Sequence, residues 1–149
     1  QKVRALFQEA GVVYPGGAEL EISHHYGLDQ FHETGITMIT IVNRNYCKKL
    51  IGVLPGQQHP EQYHKEKEET FHVLYGDLQL TLDGEVREMS AGETVTIETG
   101  VHHKFSTVNG CVIEEISMTH QAADSFYTDR KIMENKDRKK SLTLFISNP

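Results

Sequence analysis

"HPEQYHKEKEETFHVLYG", residues 59–76, sets histidines and glutamates in a charged run that passes directly into an apolar segment ending at a glycine. If a strand begins near Glu69, side chains alternate, and Glu69, Phe71 and Val73 share one face. Phe71 and Val73 require a core, so Glu69 points the same way, into the mouth of whatever that core fills. A carboxylate there is costly unless something pairs with it. His64 lies five residues earlier, across a bend that "KEKE" forms in solvent. Further on, "GVHHKF" (100–105) follows a turn and opens a strand. Phe105 and His103 share its face, so His103 is the inward histidine and His102 the outward one. Two imidazoles and a carboxylate converging on a cavity suit a divalent ion such as Mn, Fe, Zn or Ni.

The flanking sequence supplies the barrel that such a mouth needs. "TMITIVN" (37–43) and "YCKKLIGVL" (46–54) are rich in β-branched and apolar residues. "DLQLTLDGEVREM" (77–89) alternates Leu78, Leu80 and Leu82 with polar residues, and its Asp83-Gly84 is a hairpin signal. "SAGE" (90–93) reads as a turn and "TVTIE" (94–98) as a strand. In "HHKFSTVNGCVIEEISM" (102–118), Asn109-Gly110 is the strongest short hairpin signal in the chain. Short strands at this spacing predict an all-β sandwich or barrel. Residues 1–35 form an arm, with "KVRALFQEAG" a short helix ended by Gly11 and "ISHHYGLDQFHETG" a loop or second short helix. Residues 36–120 form the barrel. Residues 121–149 add a turn and a charged helix over "DRKIMENKDRKK", then "SLTLFIS" (141–147) as an edge strand that needs a neighbour.

The bulk numbers set the outer bounds. A chain of 149 residues is long enough for one core, and a net charge of −6 argues against a nucleic-acid surface. No apolar run approaches the roughly 20 residues that span a bilayer. Cys47 and Cys111 are far apart, belong to no CxxC pair, and are expected to be buried free thiols in a reducing cytosol. The chain opens on Gln1 rather than Met, as expected of a processed product or a piece of a longer polypeptide.

The spacing of Gly56, His64, Glu69 and Gly76, followed by Gly92, Gly100 and His103, resembles the two motifs of the cupin superfamily over about residues 37–118. The resemblance implies a double-stranded β-barrel of jelly-roll type with short helical extensions. It implies a metal in the mouth, with His64, Glu69 and His103 as three of four ligands. The fourth position departs from the family pattern: where His-x-His is expected, the chain reads Gln62-Tyr63-His64. Gln62 offers an amide oxygen, a weaker donor than imidazole for these ions. His59 falls off the motif and is expected to be a loop residue. More narrowly, "KEETF" (67–71) resembles cupin-type D-lyxose isomerases, and the same region is similar to the cupin module of N-acetylneuraminate (sialic acid) synthase-like proteins. The first likeness implies an aldose–ketose isomerase using manganese, with zinc, nickel, cobalt or iron as other occupants. Lys67 would then touch substrate, and Glu114 or Glu115 from "CVIEEISM" would be the base. Parity along that strand leaves both glutamates open. The second likeness implies a non-catalytic module binding a sugar or sugar acid within a longer synthase. Either form is expected to pair as a homodimer through edge strands.

Overall fold

The structure is a computed structural model that describes residues 1–143. Eleven strands follow in order: β1 (Glu19–His24), β2 (Gly35–Asn43), β3 (Tyr46–Val53), β4 (Gln58–Tyr63), β5 (Glu69–Leu82), β6 (Glu85–Ser90), β7 (Thr94–Ile97), β8 (His103–Ser106), β9 (Cys111–Met118), β10 (Phe126–Tyr127) and β11 (Lys139–Thr143). Three short helices accompany them: α1 (Lys2–Ala10), α2 (Phe31–Thr34) and α3 (Arg130–Glu134). Every pairing among the strands is antiparallel. The ladder runs β10-β4-β8-β5-β9-β3-β2-β1-β11, with β6 and β7 attached to β5.

The long strand β5 curls this ladder into a barrel. Its first half, Glu69–Gly76, pairs with β9 and, over Glu69–His72, also with β7; its second half, Asp77–Leu82, pairs with β6 and β8. Gly76 therefore does not end a strand, as the sequence suggests. It lets one strand change partners, next to a register shift between Val73 and Tyr75. At φ 81° it adopts a conformation that side chains disfavour, and an added Cβ would come within 2.1 Å of the Gly110 carbonyl oxygen. Asn109-Gly110 likewise departs from expectation. It closes no hairpin, because β8 pairs with β4 and β5 while β9 pairs with β3 and β5. Asp83-Gly84 does make its hairpin: Leu82 faces Glu85, and both turn residues have positive φ, as a type I′ turn requires.

Inside the barrel, Ile51, Val53, Phe71, Val73, Leu78, Leu80, Phe105 and Ile113 form the main core. A second cluster lies on the outer face of β2, β3 and β9, where Leu6 and Phe7 of α1 cover Ile39, Leu50 and Val112. Burying Phe7 alone stabilises the arm by roughly 1.5–3 kcal/mol. The C-terminal segment differs most from its sequence reading. The helix covers only Arg130–Glu134, and β10 ahead of it pairs with β4. Strand β11 finds its neighbour in β1 of the same chain; residues 144–147 of the expected edge strand lie outside the described residues. Cys47 and Cys111 are buried free thiols. Among the described residues no helix is long and apolar enough to cross a membrane.

Candidate metal centre

Strand register brings the sequence-predicted groups to one place. Glu69 opens β5 and faces inward beside Phe71, His103 opens β8, and His64 follows β4 directly. All three are buried, and one ligand atom from each lies within 4.8 Å of the others. Glu69 Oε1 stands 2.9 Å from His103 Nε2 and 3.4 Å from His64 Nε2.

The tautomers follow from the far side of each ring. His64 Nδ1 lies 2.8 Å from the Asp124 carbonyl oxygen, and His103 Nδ1 lies 3.0 Å from that of Val101. A carbonyl can only accept, so each Nδ1 carries the hydrogen. In the neutral ring Nε2 then presents a lone pair to Glu69. Two imidazole lone pairs and a carboxylate oxygen, all buried and none hydrogen-bonded, repel one another unless a proton or cation lies among them. Backbone carbonyls that orient the distal nitrogens are the usual outer support of metal-ligating histidines. The residues present fit a divalent ion of the kind that accepts nitrogen and oxygen donors. Gln62 faces His103 across the β4–β8 ladder and lines the same cleft, so its amide is the neighbouring polar group.

A second layer of charge adjoins this cluster. Lys67 Nζ lies 3.4 Å from Glu69 Oε2, 3.8 Å from Glu115 Oε1 and 3.0 Å from His120 Nδ1. Burial pushes the Glu69 carboxyl up, but the polar groups of Glu115, His103 and His64 around it and the Lys67 charge outweigh it and hold Glu69 well below the usual carboxylate range. Glu115 goes the other way: burial and the Glu69 charge push it up to about 8, against the opposing charge of Lys67. Burial alone would lower Lys67, but the two carboxylates raise it. Two carboxylates thus sit beside one ammonium with their protonation states driven apart.

Of the two glutamates left open by parity, Glu115 faces the barrel and lines the cleft. Glu114 faces outward, 3.7 Å from Lys48. His59 is no loop residue. It lies in β4, buried, with its ring stacked on Phe105 and edge-on to His25. His102 is stacked on Tyr63, outside the cleft.

The cleft narrows to a cavity of about 30 Å³ and also takes Ser23, Lys49, His120, Tyr127 and Lys139 into its walls. None of these stands out in the sequence, because β1, β11 and the segment after β9 reach the mouth only through long-range pairing. Asp124, next to Ser125 of the cleft wall, supports this site from outside it. Its carboxylate accepts from the backbone N–H groups of Lys65, Glu66 and Lys67, which fixes the loop carrying Lys67, while its carbonyl orients His64. Nothing local marks it, because Asp is ordinary in a turn and its partners lie 57–59 residues away.

Comparisons with known proteins bear on the fold and the relatives of the chain. The cupin-domain family matches residues 49–111. A D-lyxose/D-mannose isomerase from Thermosediminibacter oceani is 28% identical over 136 residues, covering 72% of this chain and 75% of that protein. Among solved structures, the L-ribose isomerase of Cellulomonas parahominis superposes with a TM-score of 0.72 over 96% of this chain and 92% of its own, at 14% identity. That of Geodermatophilus obscurus gives 0.71 over 88% and 90%, at 13% identity. At such identities the superpositions speak for the fold alone; residues 49–111 carry the cupin-domain match, and a sugar isomerase is among the proteins this chain resembles in sequence.

Proposed function

We propose that the chain is a metal-dependent aldose–ketose isomerase of the D-lyxose isomerase kind. The observation that carries this reading is the joint placement of two sites: His64, Glu69 and His103 converge, and Lys67 bridges Glu69 to Glu115 beside them. His64, Glu69 and His103 would hold the ion, manganese first among the candidates, with Gln62 or water completing the set. When bound, the ion supplies Lewis acidity that makes the proton next to a sugar carbonyl easier to remove.

The chain's own residues do the rest. Glu115 takes the proton from the carbon beside the carbonyl and returns it to the former carbonyl carbon, while the hydroxyl proton passes between the two oxygens. Lys67 holds the oxygen on which negative charge grows. A carboxyl pushed up to about 8 has both protonation states within reach near neutrality, as a group that first accepts and then donates must. Proton transfer by a positioned group of this kind contributes about 10²–10⁴-fold.

The D-lyxose/D-mannose isomerase relative supports the substrate class, whereas a non-catalytic synthase module draws no support from the relatives found. A homodimer belongs to the same reading, since Tyr46, Ile116 and Met118 stand exposed together on β3 and β9; size-exclusion chromatography tests it. The activity test is conversion of D-lyxose and D-mannose to their ketoses by chelator-treated protein, before and after adding Mn2+. Ketose formed only with metal is expected. No turnover of either sugar with Mn2+, Co2+ or Ni2+ would overturn the catalytic reading.

A further inference from the structure

We propose that the end of the cleft built from Lys49, Lys139 and Ser23 is an anion-binding subsite, and that the sugar taken by this site carries a carboxylate or phosphate group. The sugar part rests on the function proposed above; the anion part rests on Lys49 and its neighbours alone.

Lys49 lies in the middle of β3, on the face that Ile51 presents to the barrel, and its side chain lines the cleft at 3% exposure. A buried ammonium is expensive unless it is paired. The other two lysines of the cleft are paired: Lys67 with Glu69 and Glu115, and Lys139 with Glu21 at 3.3 Å. Lys49 makes no ion pair with any carboxylate among the described residues. Its register partner across the ladder is Glu115, but that carboxylate reaches Lys67. Burial lowers the Lys49 ammonium below its ordinary value; the charges of Glu115 and, less, Glu21 offset part of this, and Lys67 and Lys139 add to it. An alternating strand would accept Val or Ile here at no such cost, so the charge calls for a partner that enters the cleft.

The surroundings point to the same ligand chemistry. Ser23 is 1% exposed, lines the cleft, and its Oγ has no hydrogen-bond partner. In the β1–β11 ladder it stands directly opposite Lys139. His120 reports the local potential: burial and the charges of Lys49, Lys67 and Lys139 push its imidazole down to about 2. Three ammonium groups therefore act on one ring at this end of the cleft. Sugar hydroxyls need only neutral donors and acceptors, whereas an unpaired buried ammonium and a free hydroxyl lining one cleft match a charged oxygen acceptor.

Isothermal titration of chelator-treated and Mn2+-loaded protein, in a buffer free of phosphate and carboxylate, tests this with D-lyxose, D-lyxonate, D-lyxose 5-phosphate and inorganic phosphate. The metal-free arm separates binding at Lys49 from binding to the ion. Lyxonate or lyxose 5-phosphate is expected to bind at least about tenfold more tightly than D-lyxose in both arms. The tighter of the two identifies the anion. Lys49→Met should abolish the preference, and Lys49→Arg should retain it. Because Lys49→Met removes an unpaired buried charge, its melting temperature should hold or rise. Equal affinity for lyxose and both anions overturns the anion subsite and leaves the sugar reading intact. Binding of inorganic phosphate that Lys49→Met abolishes, with no binding of any sugar, overturns the sugar reading and supports the subsite. A lowered melting temperature in Lys49→Met with the anion preference unchanged makes Lys49 structural and overturns the proposal.

Discussion

The Nδ1–H of His64 donates to the carbonyl oxygen of Asp124, 2.8 Å away and 60 residues along the chain. The same Asp124 accepts through its carboxylate from three consecutive backbone N–H groups, those of Lys65, Glu66 and Lys67. One residue after the barrel thus sets both the orientation of His64 and the loop from which Lys67 enters the cleft. Asp124→Ala keeps the carbonyl but strands three buried or half-buried N–H groups. The expected cost is about 2–4 kcal/mol in urea unfolding, since hydrogen bonds to a charged acceptor are worth roughly 1.5–3 kcal/mol each and water recovers part of them. Metal affinity should fall about 10–100-fold through the displaced loop, as for other outer supports of ligands. A variant that loses stability but binds metal as tightly as the parent would show that Val101 and the barrel suffice to position the histidines.

Glu69 and the two Nε2 atoms make a cluster of acceptors in metal-free protein, so a cation that fills it should stabilise the fold. Adding Mn2+ or Zn2+ to chelator-treated protein should raise the melting temperature, with a gain of about 2.7 kcal/mol at a hundred times the dissociation constant. His64→Ala and His103→Ala should abolish the shift. Gln62 stands opposite His103 in the β4–β8 register, so Gln62→His adds an imidazole beside the cluster. Tighter binding, by tenfold or more, is expected from the better donor. Weaker or unchanged binding by Gln62→His would place the Gln62 side chain outside the coordination sphere.

Glu115→Gln should lower turnover about 10²–10⁴-fold while leaving metal affinity within a few-fold of the parent. Glu114→Gln, whose carboxylate faces Lys48 outside the barrel, should change neither. The same group has a stability signature in metal-free protein. The folded Glu115 carboxyl titrates at about 8, against 4.5 for its ordinary value. Between these values the folded state holds the proton that the unfolded state has released, so this group makes stability fall as pH rises from about 4.5 to 8. Glu115→Gln should flatten that fall and be the more stable protein above pH 8. Parallel stability curves for the two proteins would show that Glu115 is ionised in the folded state.

Much of the site could be read from local patterns, because inward parity at Phe71 and Phe105 carries Glu69 and His103 with it. Parity failed at Glu114 and Glu115 for a physical reason. Strand β9 is covered on both faces, by the barrel core at Ile113 and by α1 at Val112, so its apolar residues do not alternate with polar ones. Gly76 and Asn109-Gly110 carry ordinary turn chemistry, yet they serve a strand that changes partners and a link between sheet halves. That use depends on the close approach of Gly76 to Gly110 and leaves no local mark. His120 and Asp124 were missed because residues 119–127 reach the site through contacts far apart in sequence, whereas Lys49 and His59 sit on barrel strands whose pairing the local pattern does not give.

The buried histidines at the mouth predict how the protein responds to acid. His25 is fully buried, edge-on to His59, with its Nδ1–H donating to the Thr34 carbonyl oxygen at 3.1 Å. Burial pushes its imidazole down to about 4, from an ordinary 6.5, against the opposing effect of that hydrogen bond. Between pH 6.5 and 4 the unfolded chain therefore takes up a proton at this position that the folded chain does not. Stability present above pH 6.5 is lost as pH falls through this window. His59 is also held well below its ordinary value by burial and adds a loss of the same sign. Gln at position 25 can still donate to Thr34 and does not titrate, so His25→Gln should reduce the slope of unfolding free energy against pH by up to one proton, about 1.4 kcal/mol per pH unit. Urea unfolding of both proteins at intervals from pH 7 to pH 4 measures it. Identical slopes would mean that His25 binds its proton in the folded protein, and that the pocket between β1 and β4 admits charge that its burial argues against.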